Sequence, residues 1–290
     1  MSFDNMPFHG KMFMPGVDDY AAECIRLAKA AAPDHRVVMD IPYGDDPLQQ
    51  LDVWTPPQPS DKPLPVVVFV HGGAMRNGFK EWIGCMAPAL CALPAILVSP
   101  NYRLAPRVKN EAALGDCFDA LAWVHRNISA YGGDPGRIFV GGHSAGAYLA
   151  ALMALRKADL ARRGVPPAAI RGCIPVSGIF TYEKKDFLPG ESIRARLWHE
   201  NVDSDADAAA VTAYNHVAGN TVPFLIGYGS DEPPEVIHDN RRMIELAEGE
   251  GFLREAQIFP SCDHFAAHLQ CTDPAGRWMR AVAAFVASAA

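Results

Sequence analysis

The sequence predicts an α/β protein with a mostly parallel sheet covered by helices on both faces. Three observations carry this: short apolar runs rich in β-branched residues recur along the chain, helical periodicities lie between most of them, and Gly or Pro punctuates the joins. In chain order, "HRVVMDIPYG" and "QQLDVWTP" read as two strands joined by a polar turn, and "PPQPSDKPLP" (56–65) is a Pro-rich loop. The runs "PVVVFV" (65–70), "AILVSPNY" (95–102), "RIFVGG" (137–142), "GCIPVSG" (172–178), "PFLIGYG" (223–229) and "EAQIFP" (255–260) are of the kind buried on both faces. Between them, Leu114, Cys117, Leu121, Val124 and Ile128 repeat at helical spacing, and 145–162 opens with small helix formers. Pro233 and Pro234 open a helix that Gly251 can close, and Asp273 with Pro274 starts a last one carrying Trp278, Val282, Phe285 and Val286 on one side. Right-handed crossovers then place any ligand site beyond the carboxyl ends of the strands. Residues 1–35 and 181–222 break the alternation and are expected to form a small cap over those strand ends, within one domain spanning 1–290.

Composition narrows the partners. The 290 residues are 49% hydrophobic and 20% charged, as expected of a folded globular chain. Net charge is −7, and no basic cluster exceeds two adjacent residues, so neither nucleic acid nor an anionic membrane is an expected partner. No run approaches the ~18 apolar residues of a membrane span, and the N-terminus lacks the basic and apolar regions of a signal peptide. Seven cysteines at irregular spacing, several inside apolar runs, read as reduced thiols. A cytoplasmic protein is the expectation, with homo-oligomerisation left open.

The chemistry centres on Gly142-His143-Ser144-Ala145-Gly146, a G-x-S-x-G between an expected strand and an expected helix, the setting of a nucleophile elbow. Such a turn lifts Ser144 above the sheet, and the new helix aims its first N–H groups at developing negative charge. A serine needs a base, and the base needs an orienting acid. His264, in "SCDHF" just past the last strand, is the expected base. Asp231, the first acid after the strand "LIGYG", is the expected acid, with Glu232 assigned to the N-terminus of the following helix. The glycine pair of "VHGGAM" lets Gly72, Gly73 and Ala74 turn N–H groups toward an oxyanion together with Ala145.

These motifs, "HGGAM" (71–75), "NYRLAP" (101–106), "GGHSAG" (141–146), "SGIF" (177–180), "GSDEPPEV" (229–236) and "DHF" (263–265), together resemble the α/β-hydrolase superfamily. The resemblance is to the HGG-type branch of carboxylesterases, hormone-sensitive-lipase-like enzymes and kynurenine formamidase-like arylformamidases. It implies a Ser144-Asp231-His264 triad, an oxyanion hole around Gly72, Gly73, Ala74 and Ala145, and acyl transfer to water without cofactor or metal. The chain departs from the branch in having HGGA for HGGG, and Met75 where arylformamidases often carry an aromatic residue. The expected substrate is a small apolar or aromatic ester, with an N-formyl amide as the alternative. Met75, Trp82, Tyr182, Trp198 and Phe265 are the expected pocket residues. Two other readings carry less: the C-x-H-x3-H-x2-C run from Cys262 to Cys271 matches no usual zinc spacing, and a non-catalytic hydrolase-fold receptor would not need nucleophile, base and donors together.

Overall fold

In the computed structural model, which describes residue 3 and residues 14–190 and 193–288, the expected runs form eight strands of one sheet. They are β1 (Arg36–Pro42), β2 (Gln50–Thr55), β3 (Leu64–Val70), β4 (Ile96–Pro100), β5 (Gly133–His143), β6 (Ile170–Val176), β7 (Phe224–Gly229) and β8 (Leu253–Phe259). Their order is β1-β2-β4-β3-β5-β6-β7-β8, with β1 and β2 antiparallel to their neighbours and every pairing from β4 to β8 parallel. Every residue of β3 is buried, which explains an apolar run without alternation. Val66, Val68 and Val70 pack into one core, and Val67 and Phe69 into the other.

Helices cover both faces. They are α1 (Val17–Ala31), α2 (Ala87–Ala92), α3 (Asn110–Asn127), α4 (Ala145–Leu155), α5 (Lys157–Arg162), α6 (Ile193–Asn201), α7 (Asp205–Ala210), α8 (Pro234–Gly249), α9 (His264–Leu269) and α10 (Arg277–Ser288). The first core joins the sheet to α3 and α4 through Leu114, Leu121 and Leu149; the second joins it to α1 and α10 through Ala28, Trp278 and Phe285. Each large apolar side chain so buried is worth roughly 1.5–3 kcal/mol relative to exposure. All of α4 is buried, so its small residues serve close approach to the sheet rather than an amphipathic surface.

The elements differ from expectation in four places. The span 145–162 breaks at Arg156, whose guanidinium turns out to pair with Glu111 and Asp159. The last helix begins at Arg277, because Asp273 closes a turn on the amides of Ala275 and Gly276. A 3-10 turn at Lys80–Met86 and α2 fill the β3–β4 crossover, where no helical period was evident. His264 opens the short helix α9, with Asp263 as its N-cap accepting from the amides of Phe265 and Ala266.

The two irregular segments lie as follows. α1 buries Tyr20, Cys24, Ala28 and Ala31, spaced by one helical turn, against the 80–86 turn, while residues 1, 2 and 4–13 of the expected cap lie outside the described residues. The 181–222 segment supplies α6 and α7, with 191 and 192 outside the described residues. No described helix is long and apolar enough to cross a membrane.

Candidate active site

Strand β5 ends at His143, and Ser144 takes φ 57° and ψ −121° before α4 begins at Ala145. That backbone is strained for any residue with a Cβ, at a cost of order 1–3 kcal/mol, so neighbouring contacts must enforce it. The two motif glycines show how. A Cβ on Gly142 would meet the Gly146 carbonyl at 2.3 Å, and one on Gly146 would meet the Val70 carbonyl oxygen at 2.0 Å. The Ser144 amide donates to Val176 O at 2.9 Å, tying the turn to β6.

His264 Nε2 lies 2.8 Å from Ser144 Oγ, and His264 Nδ1 lies 2.6 Å from Glu232 Oε2. The expected acid was Asp231, and the structure corrects it. Asp231 is exposed, its amide donates to Cys262 O, and its carboxylate accepts from Ser230 Oγ. This backbone bond commits residue 231 to the turn and sends residue 232 inward, where the Glu232 side chain is fully buried against the imidazole. Glu232 is therefore not a cap of α8, which Pro233 and Pro234 start without it. Ser144 and His264 are each 7% exposed, enough for a substrate carbonyl to reach an otherwise buried pair.

His143, between Gly142 and Ser144, brings its Nε2 to 2.8 Å from the His264 carbonyl oxygen and holds His264 from behind. Burial first, then the neighbouring His264 and His268, holds its pKa well below the usual imidazole range, so it remains a neutral donor. Nothing in the motif spacing pointed to that role.

The glycine loop lies directly on the elbow: a Cβ on Gly72 would sit 2.9 Å from His143 O and 3.0 Å from Ser144 Cβ. Gly73, Ala74 and Met75 have φ of 121°, 54° and 63°, a tight turn closed by the amides of Arg76 and Asn77 on Gly73 O. Among the described residues the amides of Gly73, Ala74 and Ala145 have no acceptor. The "NYRLAP" loop supports this turn. Tyr102 stacks on His71 at 4.4 Å and donates to its carbonyl, and the Ala105 amide donates to Met75 O.

Two cavities meet at Ser144, His264 and Ala74. The larger is walled by Ala145, Tyr148, Ile179, Tyr182, Leu197 and Val236, with Arg194, Asn201 and Glu235 as polar points. The smaller lies between α1 and the glycine loop and is lined by Val17, Tyr20, Gly72, Gly73, Trp82 and Phe265. Met14 touches both. Of the expected pocket residues, Tyr182 lines the larger cavity and Trp82 and Phe265 the smaller. Met75 and Trp198 line neither. Met75 is buried in the core beneath the turn, and Trp198 stands behind Tyr182, donating Nε1–H to its carbonyl at 2.8 Å. Met14, Ile179 and Leu197 were not foreseen; an apolar residue in an irregular segment carries no periodic signal saying which way it faces.

A parallel sheet, a strained serine at a strand end, an imidazole and a buried carboxylate define the class. The chain belongs to the α/β hydrolase fold family, whose match covers residues 67–265. Among curated relatives it is 30% identical over 218 residues to Esterase LipC of Mycobacterium tuberculosis, covering 70% of this chain and 53% of that protein. It is 38% identical over 156 residues to the isoprenylcysteine alpha-carbonyl methylesterase ICME of Arabidopsis thaliana, covering 54% of this chain and 35% of that one. The matches thus span about a third to a half of these relatives' length. In fold it resembles a hyperthermophilic esterase from the archaeon Pyrobaculum calidifontis, with a TM-score of 0.74 at 24% identity over 94% of this chain and 91% of that one.

Proposed function

We propose that this protein is a serine carboxylic ester hydrolase. The observation that carries the reading is the continuous Ser144–His264–Glu232 contact, 2.8 Å and 2.6 Å, opening onto two cavities. His264 Nε2 takes the Ser144 proton as Oγ attacks the acyl carbon, and the N–H groups of Gly73, Ala74 and Ala145 hold the resulting oxyanion. His264 then protonates the leaving alcohol. Water, deprotonated by the same nitrogen, releases the acid from the acyl-enzyme. Glu232 accepts from Nδ1–H throughout, fixing the tautomer and steadying the imidazolium. Esterase names among the relatives support the reaction class.

The two cavities divide the substrate. An apolar or aromatic portion occupies the larger one against Tyr148, Tyr182 and Leu197, and a smaller portion sits between Trp82 and Phe265. α1 and the 181–222 segment act as the cap, since each supplies wall residues. The test compares wild type and Ser144→Ala on a short p-nitrophenyl ester and an N-formyl anilide of matched size. Serine-dependent turnover strongly favouring the ester is expected, with Ser144→Ala lower by about four orders of magnitude and still folded. Preference for the formamide would move the protein to the amidase reading, and undiminished turnover by folded Ser144→Ala would end the mechanism.

A further inference from the structure

On the sheet face that carries α1, side chains from three sequence-remote elements converge behind His143, whose ring lies between His268 at 5.1 Å and His264 at 4.6 Å. Sγ of Cys24 in α1, Sγ of Cys85 in the 80–86 turn and a ring nitrogen of His268 in α9 all lie within 4.8 Å of one another. Their residues are 0%, 2% and 0% exposed. The Tyr20 hydroxyl holds His268 Nδ1 at 2.8 Å, and His268 Nε2, also buried, has no partner among the described residues. We propose that Cys24, Cys85 and His268 form a buried site for a thiophilic d¹⁰ cation, Zn²⁺ or Cu⁺.

The chemistry of the donors selects the ion. Two sulfurs and one imidazole suit soft cations and not Mg²⁺ or Ca²⁺, which take oxygen. Two thiolates and a neutral imidazole cancel the charge of Zn²⁺ and leave one negative charge with Cu⁺, so a site without exposed atoms favours Zn²⁺ of the two. Donors around Zn²⁺ lie about 3.5–3.8 Å apart, so the three close on it by roughly an ångström. The thiols are already unequal. The Cys85 thiol donates to the Trp82 carbonyl oxygen at 3.1 Å, and Cys24 has no such backbone bond among the described residues. Ligation as thiolates therefore releases protons and displaces the Cys85–Trp82 bond. A cation here pins α1 to the 80–86 turn and α9, and with it Tyr20, whose ring stacks on Phe265 at 4.7 Å beside the catalytic histidine.

The test is metal binding by the full chain, reduced and freed of metal, titrated separately with Zn²⁺ and, without oxygen, with Cu⁺. Co²⁺ serves as the optical probe of thiolate ligation. We expect about one equivalent bound, a thiolate-to-cobalt band and a higher melting temperature on loading. Cys24→Ser and Cys85→Ser should each weaken binding at least tenfold. Cys173→Ser, a buried cysteine of β6, and Ser144→Ala should bind as wild type does, which separates this site from the proposed catalysis. Absence of a cobalt band in the folded wild type, binding retained by both Cys24→Ser and Cys85→Ser, or a Cys24–Cys85 disulfide in protein purified without reductant would each overturn the proposal.

Discussion

Glu232 and Asp231 are adjacent carboxylates with opposite fates. One touches the imidazole at 2.6 Å and the other faces solvent beside Ser230. Glu232→Gln keeps the shape but presents an amide to Nδ1, so kcat is expected to fall by about 10²- to 10⁴-fold on the ester substrate. Asp231→Asn should leave kcat within about threefold, since it alters only a turn at the surface. Steady-state kinetics of the two variants, with circular dichroism to confirm folding, checks both. Ser144 and His264 were legible because each sits where a strand ends in a recognisable motif. The acid was not, because "GSDEPPEV" offers two carboxylates and the choice rests on one backbone bond, Asp231 N to Cys262 O, between segments far apart in sequence.

At the scale of elements, the elbow exists because β5, α4 and the end of β3 approach more closely than any side chain permits. Gly146→Ala would drive a Cβ to 2.0 Å from Val70 O, so the strand end or the helix must move. The expected loss exceeds ~3 kcal/mol and takes activity with it. Gly132→Ala is the control: φ is +85° but no atom lies within 4 Å of the added Cβ, and the cost should stay near ~1 kcal/mol. Urea midpoints of the two variants measure the difference, and equal losses would mean that the close approach at Gly146 does not govern the elbow. The strands were readable because burial on both faces demands unbroken apolar runs. The 80–86 turn and α2 were not, because their residues are buried almost all round and leave no amphipathic period.

For the whole molecule, a buried charge cluster stands out at the start of the 80–86 turn, two residues before Trp82. Lys80, with its side chain fully buried, pairs with Asp40, Asp52 and Glu81 at 2.7, 2.7 and 2.8 Å. Burial raises Asp52 to about 7, against the pull of Lys80. The folded state thus keeps a proton that the unfolded chain gives up near pH ~4. This contribution to stability is complete below that value and is lost as pH rises toward about 7. Denaturation midpoints at about pH 5 and about pH 8 should show wild type losing stability relative to Asp52→Asn; parallel behaviour would place the Asp52 proton elsewhere. Covalent labelling with a fluorophosphonate followed by peptide mapping decides whether Ser144 is the nucleophile. A single adduct on Ser144 is expected, absent in Ser144→Ala and strongly slowed in His264→Ala and Glu232→Gln. A folded wild-type protein that takes no label, or takes it at another residue, would contradict it.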